Sequence, residues 1–79
     1  MQGEYFMKNR QILCPVMITE EENWTVATDV NTGVASQGKT ITAAMENLRE
    51  ALELYYEDIP LTEIRDNSKV FLTTMEVSV

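Results

Sequence analysis

GVASQGKTITAAMENLREALELYY, residues 33–56, runs from a short strand through a Gly-Lys turn into one long amphipathic helix. Thr40 is the residue type that caps a helix N-terminus, because its hydroxyl can accept from an early backbone N–H. From there Ile41, Ala44, Met45, Leu48, Ala51, Leu52 and Tyr55 recur at steps of three and four. Such a stripe predicts a helix over residues 41–57 with one apolar face, of the kind that lies on a sheet. The opposite face carries Glu46, Asn47, Arg49, Glu50 and Glu53, and Arg49 is spaced to pair with Glu46 and Glu53. Seventeen helical residues span roughly 25 Å, about the length of an eight-residue strand, so one helix can cover one sheet face. Pro60 ends any continuation.

Outward toward the N-terminus, residues 11–19 (QILCPVMIT) are rich in strand formers. Ile12, Cys14, Val16 and Ile18 share one face at period two, and Pro15 marks an edge strand or the unpaired side of one. The polar run Glu20-Glu21-Glu22-Asn23 reads as a hairpin turn. A second strand over 24–30 follows, with Trp24, Val26, Thr28 and Val30 on one face and Thr25, Ala27 and Asp29 on the other. Asn31-Thr32-Gly33 is a second turn, and residues 34–37 are a third strand. Outward toward the C-terminus, residues 58–69 connect, with one helical turn possible over 61–64. Residues 70–79 (VFLTTMEVSV) alternate as a fourth strand. The order β-β-β-α-β gives an α+β, two-layer domain over residues 11–79, preceded by an N-terminal extension, residues 1–10. A single helix leaves the second sheet face uncovered, and an apolar patch there marks an interface.

The same stretch also spells a nucleotide-binding motif: Gly33, Gly38, Lys39 and Thr40 satisfy G-x-x-x-x-G-K-[ST]. A phosphate cradle needs a parallel sheet with crossover helices, and this chain has room for one helix. The interior Val34-Ala35-Ser36-Gln37 is strand-like rather than glycine-rich. The expectation is therefore a tight turn at Gly38, a solvated Lys39 and Thr40 as cap.

Composition narrows the function. The 79 residues make one small domain, which favours self-association or a partner. Thirteen acidic and six basic residues leave a net charge of −7. The basic residues are scattered, so no phosphate-backbone surface and no direct nucleic-acid binding is expected. Complementary charge favours a basic protein partner. No histidine is present, and Cys14 is the one cysteine. This removes the commonest general base, a zinc cluster and a Cys-His pair. No enzyme activity, metal or cofactor is expected. No apolar stretch reaches membrane-spanning length, and the cytoplasm is the expected compartment.

The segment Ser36-Gln37-Gly38-Lys39-Thr40 followed by the helix Ala44-Met45-Glu46-Asn47-Leu48-Arg49-Glu50-Ala51-Leu52-Glu53-Leu54-Tyr55-Tyr56-Glu57 resembles the HicB-like antitoxin family. The preceding hairpin and the closing Met75-Glu76-Val77-Ser78-Val79 fit the same pattern, over roughly residues 11–79. Lys39 stands where that family usually has an acidic residue, and Val30-Asn31-Thr32-Gly33-Val34 replaces a Leu-Pro-Gly-Cys turn. The resemblance implies a partial RNase H-like fold without nuclease carboxylates. It also implies binding to a small basic HicA-like toxin, an mRNA-cleaving ribonuclease, and association as dimers or tetramers. The C-terminal DNA-binding domain that many members carry is expected to be absent. Glu20, Glu21, Glu22, Trp24 and Asp29 are the candidate partner contacts, as acidic or aromatic positions near one hairpin, although Trp24 also reads as a core residue. An oligomeric module of the same fold with a non-toxin partner is the alternative.

Overall fold

The computed structural model describes residues 11–64 and 70–79. The expected N-terminal extension, residues 1–10, and the end of the connecting loop, residues 65–69, lie outside the described residues. Three strands, β1 (Val16–Glu20), β2 (Thr25–Asp29) and β3 (Ala35–Gly38), precede one helix, α1 (Ile41–Tyr55), and a 3-10 turn at Leu61–Glu63. The sheet is antiparallel in the order β1-β2-β3. The class is α+β, with the β-β-β-α order read from the sequence.

Register fixes which face meets the helix. Val16 pairs with Asp29, Ile18 with Ala27, and Thr25 with Gly38. Side chains of directly paired residues share a face. Thr25, Ala27 and Asp29 are all buried, whereas Val26 and Thr28 between them are only half-buried. The helix therefore lies over the Thr25-Ala27-Asp29 face. Ala27, Ala44, Leu48 and Leu52 form the core, with Val16, Ile18, Val34, Met45 and Tyr56 packed around it. Small residues at Ala27 and Ala44 let helix and sheet approach closely. Gly38 is part of that approach: a Cβ there would sit 2.6 Å from the Ala44 nitrogen.

Each terminus of α1 is satisfied locally. Thr40 Oγ1 accepts from the Ala43 N–H at 3.0 Å, as expected for a cap. At the other end the Tyr56 N–H donates to the Leu52 carbonyl at 2.9 Å. Asn47, read as a solvated position, instead ties helix to sheet, its Nδ2 donating to the Gln37 carbonyl at 2.8 Å. Arg49 pairs with Glu46 at 3.5 Å in an exposed pair, and not with Glu53.

Two expectations need correction. The first strand starts at Val16, not residue 11. The Val30 N–H still donates to the Pro15 carbonyl at 2.9 Å, but β2 ends at Asp29 and the chain turns there. Second, residues 70–79 do not form a fourth strand of this sheet: they carry no strand pairing, and all but Val70 are exposed. Strand geometry needs a neighbour to bond with, and none of the described residues supplies it.

Candidate functional site

The β1–β2 hairpin closes through the Glu21 N–H, which donates to the Trp24 carbonyl at 2.7 Å. This tight closure pushes Glu20, Glu21 and Glu22 into solvent as one acidic tip. Trp24 follows at the end of the turn and is 42% exposed, so the core place expected for it is wrong. It alternates with Thr25, whose side chain faces the helix, and therefore lies toward the uncovered face. Lys39 Nζ stands 5.5 Å from the Trp24 ring centroid. The ring's electron-rich face attracts the ammonium, an interaction worth about 0.5–1 kcal/mol at exposed sites. Sequence spacing gave no hint of this pair, because the register that brings Thr25 beside Gly38 creates it.

Asp29 is not a surface contact. It is 0% exposed, at the far end of β2, on the helix-covered face. Its Oδ2 accepts from the Thr32 N–H at 3.0 Å and from the Thr32 hydroxyl at 2.5 Å. The Thr32 Oγ1 in turn accepts from the Val34 N–H at 3.1 Å, and the Gly33 N–H donates to the Asp29 carbonyl at 2.8 Å. Gly33 takes φ +80°, which suits a residue without a Cβ. Asp29 thus builds the second turn, as aspartates commonly do by bonding backbone two or three residues on. Asp-Val-Asn-Thr-Gly was the legible signal. Four of the five expected contacts, Glu20, Glu21, Glu22 and Trp24, remain together at the tip, and the fifth is structural.

The sheet face away from α1 is open. Met17 is 44% exposed, and Val30 and Leu13 are also exposed. A second surface lies on the helix side, between α1 and the stretch that leads into β1. Here Cys14, Val16, Met45, Leu52, Tyr56 and Ile64 line an open groove of about 660 Å³. Ile64 is buried in its floor and fastens the chain after α1 to this side of the sheet. The Tyr56 phenol is pushed above its ordinary range, first by burial and then by its proximity to Cys14, Asp29 and Tyr55.

The nucleotide-type motif makes no cradle. Its residues Ala35–Gly38 are β3, paired to β2, and Thr40 is committed to the helix cap. Backbone N–H groups held in a ladder are not turned toward a phosphate. Among the described residues no group of three or more Cys, Asp or Glu could hold a metal ion, and no helix is long and apolar enough to cross a membrane.

A family of unknown function (DUF7387) matches residues 14–77. The chain belongs to that family. The match begins at the groove residue Cys14 and runs through both hairpins, the helix and most of the C-terminal segment. DUF7387 membership thus takes in the acidic tip, the groove and residues 70–77 as parts of one unit. No curated protein and no solved structure matches the chain.

Proposed function

We propose that this DUF7387 chain is a HicB-like antitoxin domain, which neutralises a small basic HicA-like, mRNA-cleaving toxin by direct protein binding. The observation that carries this reading is the solvent-facing tip Glu20-Glu21-Glu22 set beside an exposed Trp24 on an uncovered sheet face. Aromatic anchors supply binding energy in interfaces, and charge of one sign steers a partner of the other. The net charge of −7 matches a basic partner. The function is stoichiometric: it needs a surface, not a reactive group, and the cytoplasm is where an mRNA-cleaving toxin would be met.

Affinity purification from the native host tests it, with the Glu20→Lys, Glu21→Lys, Glu22→Lys variant run in parallel. A small basic ribonuclease should co-purify with the wild type, and the charge-reversed variant should lose it. Recovery of self-associated chain alone from both would count heavily against an antitoxin role. A second reading, an oligomeric HicB-like module with a non-toxin partner, draws on the groove and on the C-terminal segment, neither of which the tip uses.

A further inference from the structure

We propose that residues 70–79 of one copy add as a strand to the outer edge of β1 in a second copy, and that the exchange is reciprocal. The observation, among the described residues, is a strand-like segment without a sheet and a sheet edge without a strand. The segment alternates, and its more apolar face is bare: Phe71 is 89%, Met75 84% and Val77 71% exposed. Ten residues of this kind, at about 3.3 Å each, would span roughly 33 Å. The stretch from Gln11 to Glu20, which carries the groove lip and β1, has the same number of residues.

The edge is ready to receive it. The bonds from Val30 N–H to the Pro15 carbonyl and from Glu21 N–H to the Trp24 carbonyl fix the phase of the β1–β2 ladder. Odd-numbered positions of β1 bond to β2, so the backbone groups of Val16, Ile18 and Glu20 point outward. The proline of this edge, Pro15, is at an odd position, and its missing N–H costs the outer edge nothing. An added strand would direct alternate side chains into the groove under α1, where Cys14, Val16, Met45, Leu52 and Tyr56 offer apolar surface.

A second copy is the occupant because the segment leaves its own fold. The radius of gyration is 15.4 Å, against roughly 12 Å for a compact chain of this length. The core is also thin: among the described residues Ala27, Ala44, Leu48, Leu52 and Ile64 are the buried hydrophobics. Small domains commonly complete such a core by oligomerising, and exchange of an identical element closes as a two-fold dimer. Reciprocal exchange would also pair a bare apolar strand, which left alone invites aggregation. None of this depends on what the acidic tip binds.

Sedimentation equilibrium of the full chain tests the proposal. The wild type should weigh twice its 9.0 kDa chain mass. The Phe71→Ser, Met75→Ser, Val77→Ser variant should fall to the single-chain mass with its helical circular dichroism retained. A monomeric wild type, or a variant that stays dimeric, would overturn the exchange. A second measurement needs no loss of folding: cysteines placed singly at 73, 75 and 77 are oxidised against Cys14. At the position that faces Cys14 the disulfide should join two chains on a non-reducing gel. Disulfides formed only within one chain would show that the strand adds to its own sheet, and would equally sink the proposal.

Discussion

Gly38 is where the sheet and the helix come closest, and its side-chain position is already occupied by backbone. A Cβ would meet the Ala44 nitrogen at 2.6 Å and the Ala43 carbonyl carbon and Cβ at 2.7 Å. Those atoms belong to the first turn of α1 and cannot move without the helix. Overpacking of this kind costs about 1–3 kcal/mol. Gly33 differs: φ is +80° but nothing lies within 4 Å, so Gly33→Ala meets only backbone strain of about 1 kcal/mol. Thermal denaturation should rank Gly38→Ala as the more damaging, and an equal or reversed ranking would refute the close-approach argument. Tyr56 gives a pH prediction. Its phenol titrates above the ordinary value of 10.0, first because burial disfavours the phenolate. A folded-state pKa raised above the unfolded one leaves the contribution intact below about pH 10 and removes it as pH rises through the folded value. Stability should therefore decline in strong base, and Tyr56→Phe should remove both the late phenolate absorbance and that part of the decline. Neither Gly38 nor Tyr56 was legible in this role from the sequence. Gly38 read as a turn residue, and the helical stripe ended at Tyr55, which is 47% exposed.

Most of α1 was legible because its signal is periodic. The cap at Thr40, the start at Ile41 and the buried Ala44, Leu48 and Leu52 follow from spacing alone. The stripe was drawn too wide at its ends: Ile41 and Tyr55 are exposed, because contact with a three-stranded sheet runs along the i, i+4 row of 44, 48 and 52. This predicts a graded response. Leu48 is 1% exposed, and Leu48→Ala should cost about 2–5 kcal/mol through lost burial and a cavity. Thr40→Ala should cost about 1 kcal/mol by orphaning the Ala43 N–H. Urea denaturation would separate the two, and a Thr40→Ala loss as large as that of Leu48→Ala would mean the cap does more than cap. The strands were less legible. Alternation named the two faces of β2 correctly, yet the larger face, with Trp24 and Val30, is the open one, and the smaller Thr25-Ala27-Asp29 face carries the helix. Size of side chain misleads when close backbone approach, not bulk, makes the contact. Residues 70–79 read as a fourth strand by pattern and are not one here, because alternation alone does not supply the neighbour a strand bonds to.

At the scale of the whole molecule the two surfaces separate. The acidic tip begins at Glu20 and precedes Thr25, which pairs with Gly38 just before α1 begins. The groove reaches Tyr56, where α1 ends. One surface is charged and the other apolar, so substitutions should divide them. Reversing Glu20, Glu21 and Glu22 to Lys adds two charge units at each site, which takes the net charge from −7 to −1. All three side chains are exposed, so the fold and the dimer mass should persist. Association with a basic protein should slow by tenfold or more at low salt, since steering by charge acts mainly on the on-rate. The Phe71→Ser, Met75→Ser, Val77→Ser variant should show the complement. It keeps the tip but loses the concentration dependence of its melting temperature, because a dimer is stabilised by mass action and a monomer is not. Melting curves across a hundredfold range of protein concentration, read beside stopped-flow association with the basic partner, would fill all four combinations of variant and readout. If charge reversal at the tip also abolished the concentration dependence, the tip and the exchanged strand would belong to one interface, and the division of the molecule into a charged binding end and an apolar assembly edge would fail.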